Sequence, residues 1–320
     1  MFCFPSVLSV RASSQGCCTV GASSLGGVES GILPYKTLSV QANYQYNSVT
    51  RAFQGTKHID DPLQRTATVG YFTLQMEYGL LQRLSVLAGI TYSGKERELT
   101  ITSGTGSGRF VETVSFSASG MGDLLLLAKY QLIVPTIASP FELALGGGAN
   151  LPTGSYTREQ NGAQLAIDLQ PGTGASALIG WAFALWSFPE FGARFYAVAT
   201  YRYAGTNLDG YRIGDEVVVS FGGEYNLTDR LGGSLLVRSR FAQQDFSNRR
   251  TLIATGGTYH DLMPGLTYSD GPSSARVFTQ LPIYRNVRGI QLTLSYLLGV
   301  EYRYVFDFRS GLELFPANGE

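Results

Sequence analysis

The chain has 320 residues, and its 24 Lys and Arg residues balance 24 Asp and Glu residues, so the formal net charge is zero. A neutral chain has no overall electrostatic attraction to nucleic acid or to an anionic surface, so nucleic acid is not an expected partner. Charged residues make up only 15% of the chain, against roughly 25% in soluble domains. The many Gly, Tyr and Phe residues are typical of strands and turns.

The sequence excludes membrane-spanning helices. Its longest apolar run, Ala177 to Trp186, has ten residues, whereas a membrane-spanning helix needs about 18 or more. A β-barrel is not excluded, because an alternating strand crosses a membrane without any continuous apolar run.

The first 35 residues differ in character from the rest of the chain. Residues 1–12 contain an apolar stretch ending in Val10-Arg11-Ala12, which fits the remnant of an export signal; the alternative is a disordered terminus. Residues 13–35 are rich in Gly and Ser, and we expect them to lie in the periplasm or to plug a barrel, where they could contact a periplasmic protein. The pair Cys17-Cys18 could bind a soft metal or carry an acyl chain, but an ordinary linker pair is the simpler interpretation.

The segment Thr37–Asn47, TLSVQANYQYN, alternates strictly between apolar and polar residues. A period of two residues is that of a β-strand. The same pattern recurs along residues 36–306 and predicts about twelve strands, an even number as a bacterial single-chain barrel requires. Alternating segments begin at Phe72, Leu84, Leu124, Leu143, Ala177, Phe195, Val217 and Leu235; two weaker strands are Tyr259–Tyr268 and Arg276–Tyr284, and the longest alternation runs from Ile290 to Phe306.

The links between these strands alternate in length. Short links are Gly79–Arg83, Ile133–Pro140, Ala184–Glu190, Thr228–Arg230 and Ser269–Ser274; longer links are Ser48–Gln64, Lys95–Gly108, Pro152–Asp168, Ala204–Asp215 and Gln244–Ile253. The final link, Arg285–Arg288, breaks this alternation by being short. Short turns on the periplasmic side and longer loops outside are typical of outer-membrane barrels, so we expect both chain ends in the periplasm. The alternation resumes after the tip Gly104–Gly108, which predicts a hairpin rising above the bilayer.

Two architectures fit a dozen alternating strands, a soluble sandwich with the apolar face inside and a membrane barrel with the apolar face on lipid. Polar faces rich in Ser, Thr, Gln and Asn favour the barrel. So do aromatic residues near strand ends, such as Tyr44, Tyr92, Trp181 and Phe183, which are typical of an interfacial girdle. We predict an all-β transmembrane antiparallel up-and-down barrel in the outer membrane, with residues 307–320 as a C-terminal tail.

In such a barrel the polar face lines the lumen. The lumen-facing candidates are Gln41, Asn43, Glu77, Asp123, Lys129, Glu142, Arg194, Arg202, Glu224, Arg238, Arg240, Gln291, Glu301 and Arg303. These charges either neutralise one another in a narrow interior, or the arginines form a ladder that favours anions. Eight strands enclose packed side chains and sixteen an aqueous channel, so twelve suit a small-solute pore better than a general porin.

No catalytic motif stands out. The segment Gly89–Glu96, GITYSGKE, nearly matches a phosphate-binding loop, but Glu96 replaces the Mg²⁺-ligating Ser or Thr and the segment lies in a strand. A serine with His260-Asp261 could form the triad of an outer-membrane hydrolase, yet no nucleophile motif marks that serine. We therefore predict a protein without catalytic residues, metal site or cofactor, and keep the hydrolase as the third alternative.

Several Gly-rich and turn segments carry a family resemblance. The segments are Gly120–Leu132, Leu145–Tyr156, Leu169–Phe183, Glu224–Leu235 and Thr255–Tyr268. They resemble the MetA-pathway of phenol degradation family of outer-membrane transporters over roughly Tyr35 to Phe306. The resemblance implies a barrel and uptake of small organic molecules, including hydrophobic or aromatic ones, and brings no catalytic residues.

We therefore expect an outer-membrane channel for passive passage of small organic solutes, with outer-membrane lipid and the solute as partners. The alternative is a non-transporting barrel that serves as an anchor or assembly partner, through a periplasmic protein bound to residues 13–35.

Overall fold

The computed structural model describes residues 31–61, 63–103, 110–136 and 139–309. Within these residues, twelve long antiparallel strands form a closed barrel, as the sequence predicts. The strands are β1 (Thr37–Val49), β2 (Thr66–Leu81), β3 (Leu84–Ser103), β4 (Leu124–Ile133), β5 (Phe141–Leu151), β6 (Ala177–Phe188), β7 (Ala193–Ala204), β8 (Glu216–Asn226), β9 (Leu231–Ala242), β10 (Gly257–Asp270), β11 (Ser273–Thr293) and β12 (Tyr296–Asp307).

The barrel closes because its first and last strands pair with each other. β1 pairs with β12 from Thr37 opposite Asp307 to Ser48 opposite Tyr296, and each other strand pairs with its neighbour in the chain. Backbone N–H and C=O groups cannot find water in hydrocarbon, so a closed sheet satisfies them where an open edge would not.

The apolar face of the strands is the outer face. On β2, Phe72, Leu74 and Met76 are exposed, whereas Thr73 and Gln75 between them are buried in the barrel. The same pattern on the other strands leaves a broad apolar belt on the outer surface, which suits lipid and not water. The soluble sandwich is therefore wrong. Among the described residues, no helix is long and apolar enough to cross a membrane.

The predicted orientation of β6 is wrong. Trp181 and Phe183, expected in the outer aromatic girdle, are buried at 3% and 4% exposure, while Leu178 and Trp186 face outward. Both faces of β6 are apolar, so the sequence pattern did not fix which face is inside. The neighbouring strand explains the orientation: Gly146 lies opposite Trp181, and a Cβ there would come within 3.0 Å of the Trp181 ring.

The predicted end of the barrel is also corrected. Ile290 to Phe306 is not one strand, because β11 continues to Thr293 and β12 begins at Tyr296. The predicted link Arg285–Arg288 lies within β11, where the pairing with residues 51–55 shifts between Val287 and Ile290. Gly289 has a φ of +66° at this bulge, a left-handed conformation that glycine adopts without strain, so the strand bends without ending.

The two ends of the barrel differ, as predicted. Short turns join the strands at one end, and long connections at the other carry additional structure. The strand Phe110–Met121 extends the sheet by pairing with the outer half of β3, from Tyr92 to Ser103; the tip at residues 104–109 lies outside the described residues. Further small strands in the long connections are Arg51–Gly55, Lys57–Ile59, Glu159–Gln160, Ala163–Gln164, Tyr211–Arg212, Phe246–Ser247 and Arg250–Thr251.

Val237 lies near the middle of β9 on the outer face, and Val237→Arg tests the lipid contact. We expect the free energy of unfolding to fall by roughly 2–4 kcal/mol, because arginine at the bilayer midplane is poorly solvated. The control Leu231→Arg, at the end of the same strand, should lose only about 0–1 kcal/mol. Denaturant titration in phospholipid vesicles measures both values; equal losses for the two variants would contradict the proposed depth of β9.

Candidate functional site

The polar candidates predicted from the sequence lie on the inner face of the barrel or next to it. Asn43, Glu77, Lys129, Glu142, Arg238, Arg240 and Gln291 are buried, while Gln41, Asp123, Arg202, Glu224, Glu301 and Arg303 are half-buried. Arg194 has the inward orientation but is exposed, because it lies where the lumen opens to water. Asp123 precedes β4 and is not on a strand.

A wide cavity opens at the short-turn end of the lumen, and we call it the vestibule. Its volume is about 580 Å³, and its lining includes Arg194, Tyr196, Glu224, Arg276, Glu301 and Arg303. Arg194 Nε lies 2.6 Å from Glu224 Oε2, and Asn43 Nδ2 donates to Glu301 Oε2 at 3.3 Å. Arg303 Nε donates to Ser39 Oγ at 2.9 Å. The vestibule is therefore polar and carries charges of both signs.

Beside the vestibule, a lysine is completely buried in the lumen. Lys129 Nζ lies 3.1 Å from Glu77 Oε2 and 5.0 Å from the centre of the Trp181 ring. Ser85 Oγ donates to the other oxygen of Glu77 at 2.6 Å. Because a buried charge is costly without a partner, these contacts lock the Lys129 side chain in one place.

The described part of the predicted plug segment, residues 31–35, contacts this lysine and its surroundings. The carbonyl oxygen of Gly31 accepts a 3.4 Å hydrogen bond from Lys129, and the Ile32 N–H donates to Glu142 Oε1 at 3.5 Å. Leu33 is buried. Residues 1–30, with Cys17-Cys18 and the predicted signal remnant, lie outside the described residues.

Part of the lumen wall is apolar, whereas the lumen-facing candidates from the sequence were all polar. Leu125, Leu127, Trp181, Phe183 and Val198 are all buried on the inner face. The rings of Trp181 and Phe183 are stacked, with centroids 5.8 Å apart. The continuous apolar runs around Leu125 and Trp181 were the available signal, because a strand that is apolar on both faces cannot alternate.

A segment of the β5–β6 connection folds into the long-loop end of the lumen, and we call residues 165–172 the inner loop. Lys95 Nζ donates to the carbonyl oxygens of Asp168, at 3.0 Å, and Gln170, at 2.7 Å. Arg97 forms an ion pair with Asp168, and Leu165 and Leu169 are buried. Two cations of β3 therefore hold the inner loop across the lumen.

Below the inner loop lies a second, smaller cavity of about 150 Å³, the upper cavity. Its lining includes Tyr71, Lys95, Asp123, Ile167, Asp168, Pro171, Arg202, Tyr211, Ile213, Glu216, Arg240 and Asp245. Along β7 the inward residues are Arg194 and Tyr196 in the vestibule, then Val198 and Thr200, then Arg202 in the upper cavity. Val198 and Thr200 are buried, so packed side chains separate the two cavities.

Arginines gather around two carboxylates on the inner face of β7 to β11. Arg240 Nη1 lies 3.1 Å from Glu216 Oε2, and Arg285 Nη1 lies 3.5 Å from Asp261 Oδ1. Arg202 and Arg238 face the same region, since Arg202 is opposite Glu216 in register and Arg238 is opposite Asp261. In the part of the chain that the structure describes, neither of these two arginines has a hydrogen bond or an ion pair.

The structure does not assemble the serine triad considered from the sequence. His260 faces outward, and its Nδ1 lies 2.8 Å from Ser239 Oγ. Asp261 is buried on the opposite face of β10, where it accepts a hydrogen bond from Gln280 at 2.8 Å. Neighbouring residues of a strand point to opposite faces, so Asp261 cannot support His260. Over the described ranges, no group of three or more His, Cys, Asp or Glu residues is placed to hold a metal ion.

Comparisons with known proteins agree with this architecture. A profile of the family described as "Putative MetA-pathway of phenol degradation" matches residues 30–296. An outer membrane channel from Pseudomonas putida F1 is similar in structure, with a TM-score of 0.65, 16% sequence identity, and coverage of 88% of this chain and 98% of that chain. This likeness shows an outer-membrane barrel fold, and the apolar outer face agrees with that location.

Two other structures resemble the chain more weakly. A FadL homologue from Pseudomonas aeruginosa has a TM-score of 0.41 and 10% identity, covering 91% of this chain and 97% of its own. OmpT, an outer membrane protein of Vibrio cholerae, has a TM-score of 0.36 and 10% identity, covering 84% and 98%. No curated protein sequence matches the chain.

Lys129→Met tests the buried ion pair. We expect the free energy of unfolding to fall by roughly 3–5 kcal/mol, because Glu77 would stay buried without its cation. The double variant Glu77→Gln with Lys129→Met should recover much of this loss. Arg194→Gln, which breaks an exposed ion pair, should cost at most about 1 kcal/mol. Denaturant unfolding of the barrel measures all three variants. An unchanged free energy of unfolding in Lys129→Met would contradict the stabilising role of the ion pair.

Proposed function

The chain belongs to the MetA-pathway of phenol degradation family, and from this premise we propose that it is an outer-membrane channel for the passive passage of small organic molecules. The observation that carries the proposal is the pair of cavities at the two ends of one lumen. The vestibule opens at the short-turn end, and the upper cavity lies below the inner loop at the other end.

The walls of this route suit solutes that are partly polar and partly apolar. Arg303 and Glu301 offer charged groups on β12 in the vestibule, whereas Trp181, Phe183 and Leu127 form a packed apolar level on the inner faces of β6 and β4. Binding sites for small organic molecules usually combine a mostly apolar lining with a few placed polar groups. This combination supports hydrophobic or aromatic solutes over sugars or inorganic ions.

Passage requires two barriers to move. One is the packed level at Val198 and Thr200, and the other is the inner loop held by Lys95 and Arg97. The inner loop is the more easily displaced of the two, because it is tied by a few polar side chains while Val198 belongs to the strand ladder of β7. A gradient of solute across the membrane drives the flux.

The test is the current across a planar bilayer that contains the purified chain. We expect small single-channel steps, and benzyl alcohol on one side should reduce them by occupying the lumen. A barrel that inserts and stays silent at all voltages, and that gives no solute flux in liposomes, would contradict the channel function.

Loosening the inner loop should raise the current. In the double variant Lys95→Met with Arg97→Gln, the cations that hold Asp168 and Gln170 are gone, so we expect a several-fold larger single-channel conductance. The control is Arg230→Gln, which breaks an exposed ion pair with Asp270 at 3.7 Å in a short turn and should leave the conductance unchanged. Equal conductance in the double variant and the wild type would contradict the role of the inner loop.

The packed interior also favours a second function, that of a non-transporting barrel that serves as an anchor or assembly partner. Gly31 and Ile32 contact Lys129 and Glu142, so these residues before the barrel are tied to the lumen, as part of a plug or a docking segment would be. Deleting residues 13–31 separates the two roles: a current that appears only after the deletion indicates a plug, and a barrel that stays silent favours the anchor.

A further inference from the structure

The upper cavity contains a cation that forms no hydrogen bond or ion pair within the described residues and has an unsatisfied donor. Arg202 lines this cavity, and its Nε is buried without a hydrogen bond. The other two cationic side chains in the lining are engaged: Lys95 donates to carbonyl oxygens of the inner loop, and Arg240 pairs with Glu216. Arg202 as a whole is half-buried, but a buried N–H donor without an acceptor is costly, so this Nε–H at the cavity wall is available to an acceptor on a ligand.

Each carboxylate in the lining already has donors of its own. Asp123 accepts from the N–H groups of Gly154 and Thr173, both at 3.0 Å, and Asp168 is paired with Arg97. Asp245 accepts from Tyr211 Oη at 2.5 Å and from the Gly214 N–H at 2.8 Å. Burial raises the pKa of the Asp245 carboxyl, and the charge of Arg202 partly counteracts this shift.

Arg238 adds positive potential from one step deeper in the lumen. It is buried at 8% exposure. Asp261, opposite it, accepts a hydrogen bond from Gln280 and forms an ion pair with Arg285. Within the described arginine cluster, four guanidinium groups therefore face three carboxylates, those of Glu216, Asp261 and Asp245, which leaves one positive charge in excess. In a confined space of low dielectric this excess attracts a small anion strongly.

The rest of the lining indicates that this anion is organic. Ile167, Pro171 and Ile213 line the upper cavity together with the rings of Tyr71 and Tyr211. A protein cavity of about 150 Å³ is large enough to hold one benzene ring. The planar fork of a guanidinium matches a carboxylate and binds it through two parallel hydrogen bonds.

We propose that the upper cavity binds a small organic anion of about one ring, with its carboxylate on Arg202 and its apolar body against Ile167, Pro171 and Ile213. The inference deepens the proposed channel function and rests on it: organic acids would be the solutes that bind in the lumen during passage. The vestibule, with its mixed charges, would admit them without holding them.

The test is isothermal titration calorimetry of the purified full chain in detergent, with sodium benzoate as the probe. Benzyl alcohol, similar in size but neutral, is the matched ligand. We expect benzoate to bind at least tenfold more tightly than benzyl alcohol, since hydrogen bonds between a guanidinium and a carboxylate are stronger than those to a neutral hydroxyl. Equal binding of the two probes, or no binding of benzoate, would overturn the proposal.

Variants locate the site. Arg202→Gln should weaken benzoate binding about tenfold or more, and Arg202→Lys should weaken it less, because lysine keeps the charge but loses the fork. Arg194→Gln is the matched control, since it removes the same charge from the inner face of the same strand, in the vestibule, and should leave the affinity unchanged. Equal losses in Arg202→Gln and Arg194→Gln would show a general charge effect and overturn the site.

The binding experiment and the channel experiment test separate claims, because binding in detergent requires no transport. A barrel that binds benzoate on Arg202 but carries no current would contradict the channel function alone. A conducting barrel that binds benzoate no better than benzyl alcohol would contradict the anion site alone. The heat-dependent gel migration of each variant confirms that the barrel is folded before either measurement.

Discussion

The constraint on which the rest of the structure depends is the satisfaction of backbone hydrogen bonds in a hydrocarbon environment. Lipid offers no donors or acceptors, so every N–H and C=O of a spanning strand must pair within the protein. In this chain the constraint is met when β1 pairs with β12 along its length. Closure then forces one face of every strand toward lipid and the other toward an enclosed lumen.

Enclosure decides how the charges of the lumen behave. A charge that faces a narrow interior cannot find bulk water, so it needs a partner or a ligand. Lys129 and Glu77 form a buried ion pair. Arg240 and Glu216 form a second one nearer the long loops. Arg202 and Arg238 stand outside these pairs, so the mutual neutralisation expected from the balanced charges is incomplete. The surplus is the physical basis of an anion site.

The lumen is also divided along its length. Inward residues of β7 pass from an open polar vestibule through the packed Val198 and Thr200 to Arg202. Because twelve strands enclose more space than eight but less than sixteen, side chains and one folded loop are enough to close it. A small displacement of the inner loop would therefore change access to the lumen without breaking any strand pairing.

The sequence by itself determined the strand period, the number of strands and the side of each strand that meets lipid, wherever one face was polar. Alternation carries this information because a strand directs successive side chains to opposite faces, as at Thr37–Asn47. It failed at Trp181 and Phe183, because β6 is apolar on both faces, and at Gly289, because a bulge hid the true end of β11.

Only the tertiary structure decided which charges meet. Arg202 and Arg240 have the same parity and chemistry in the sequence, yet Arg240 reaches Glu216 and Arg202 does not. The inner loop was likewise invisible, since its anchors Lys95 and Arg97 are some 70 residues away from Asp168 in the chain. Such partners are set by register across the barrel and by how loops fold into the lumen, and local sequence records neither.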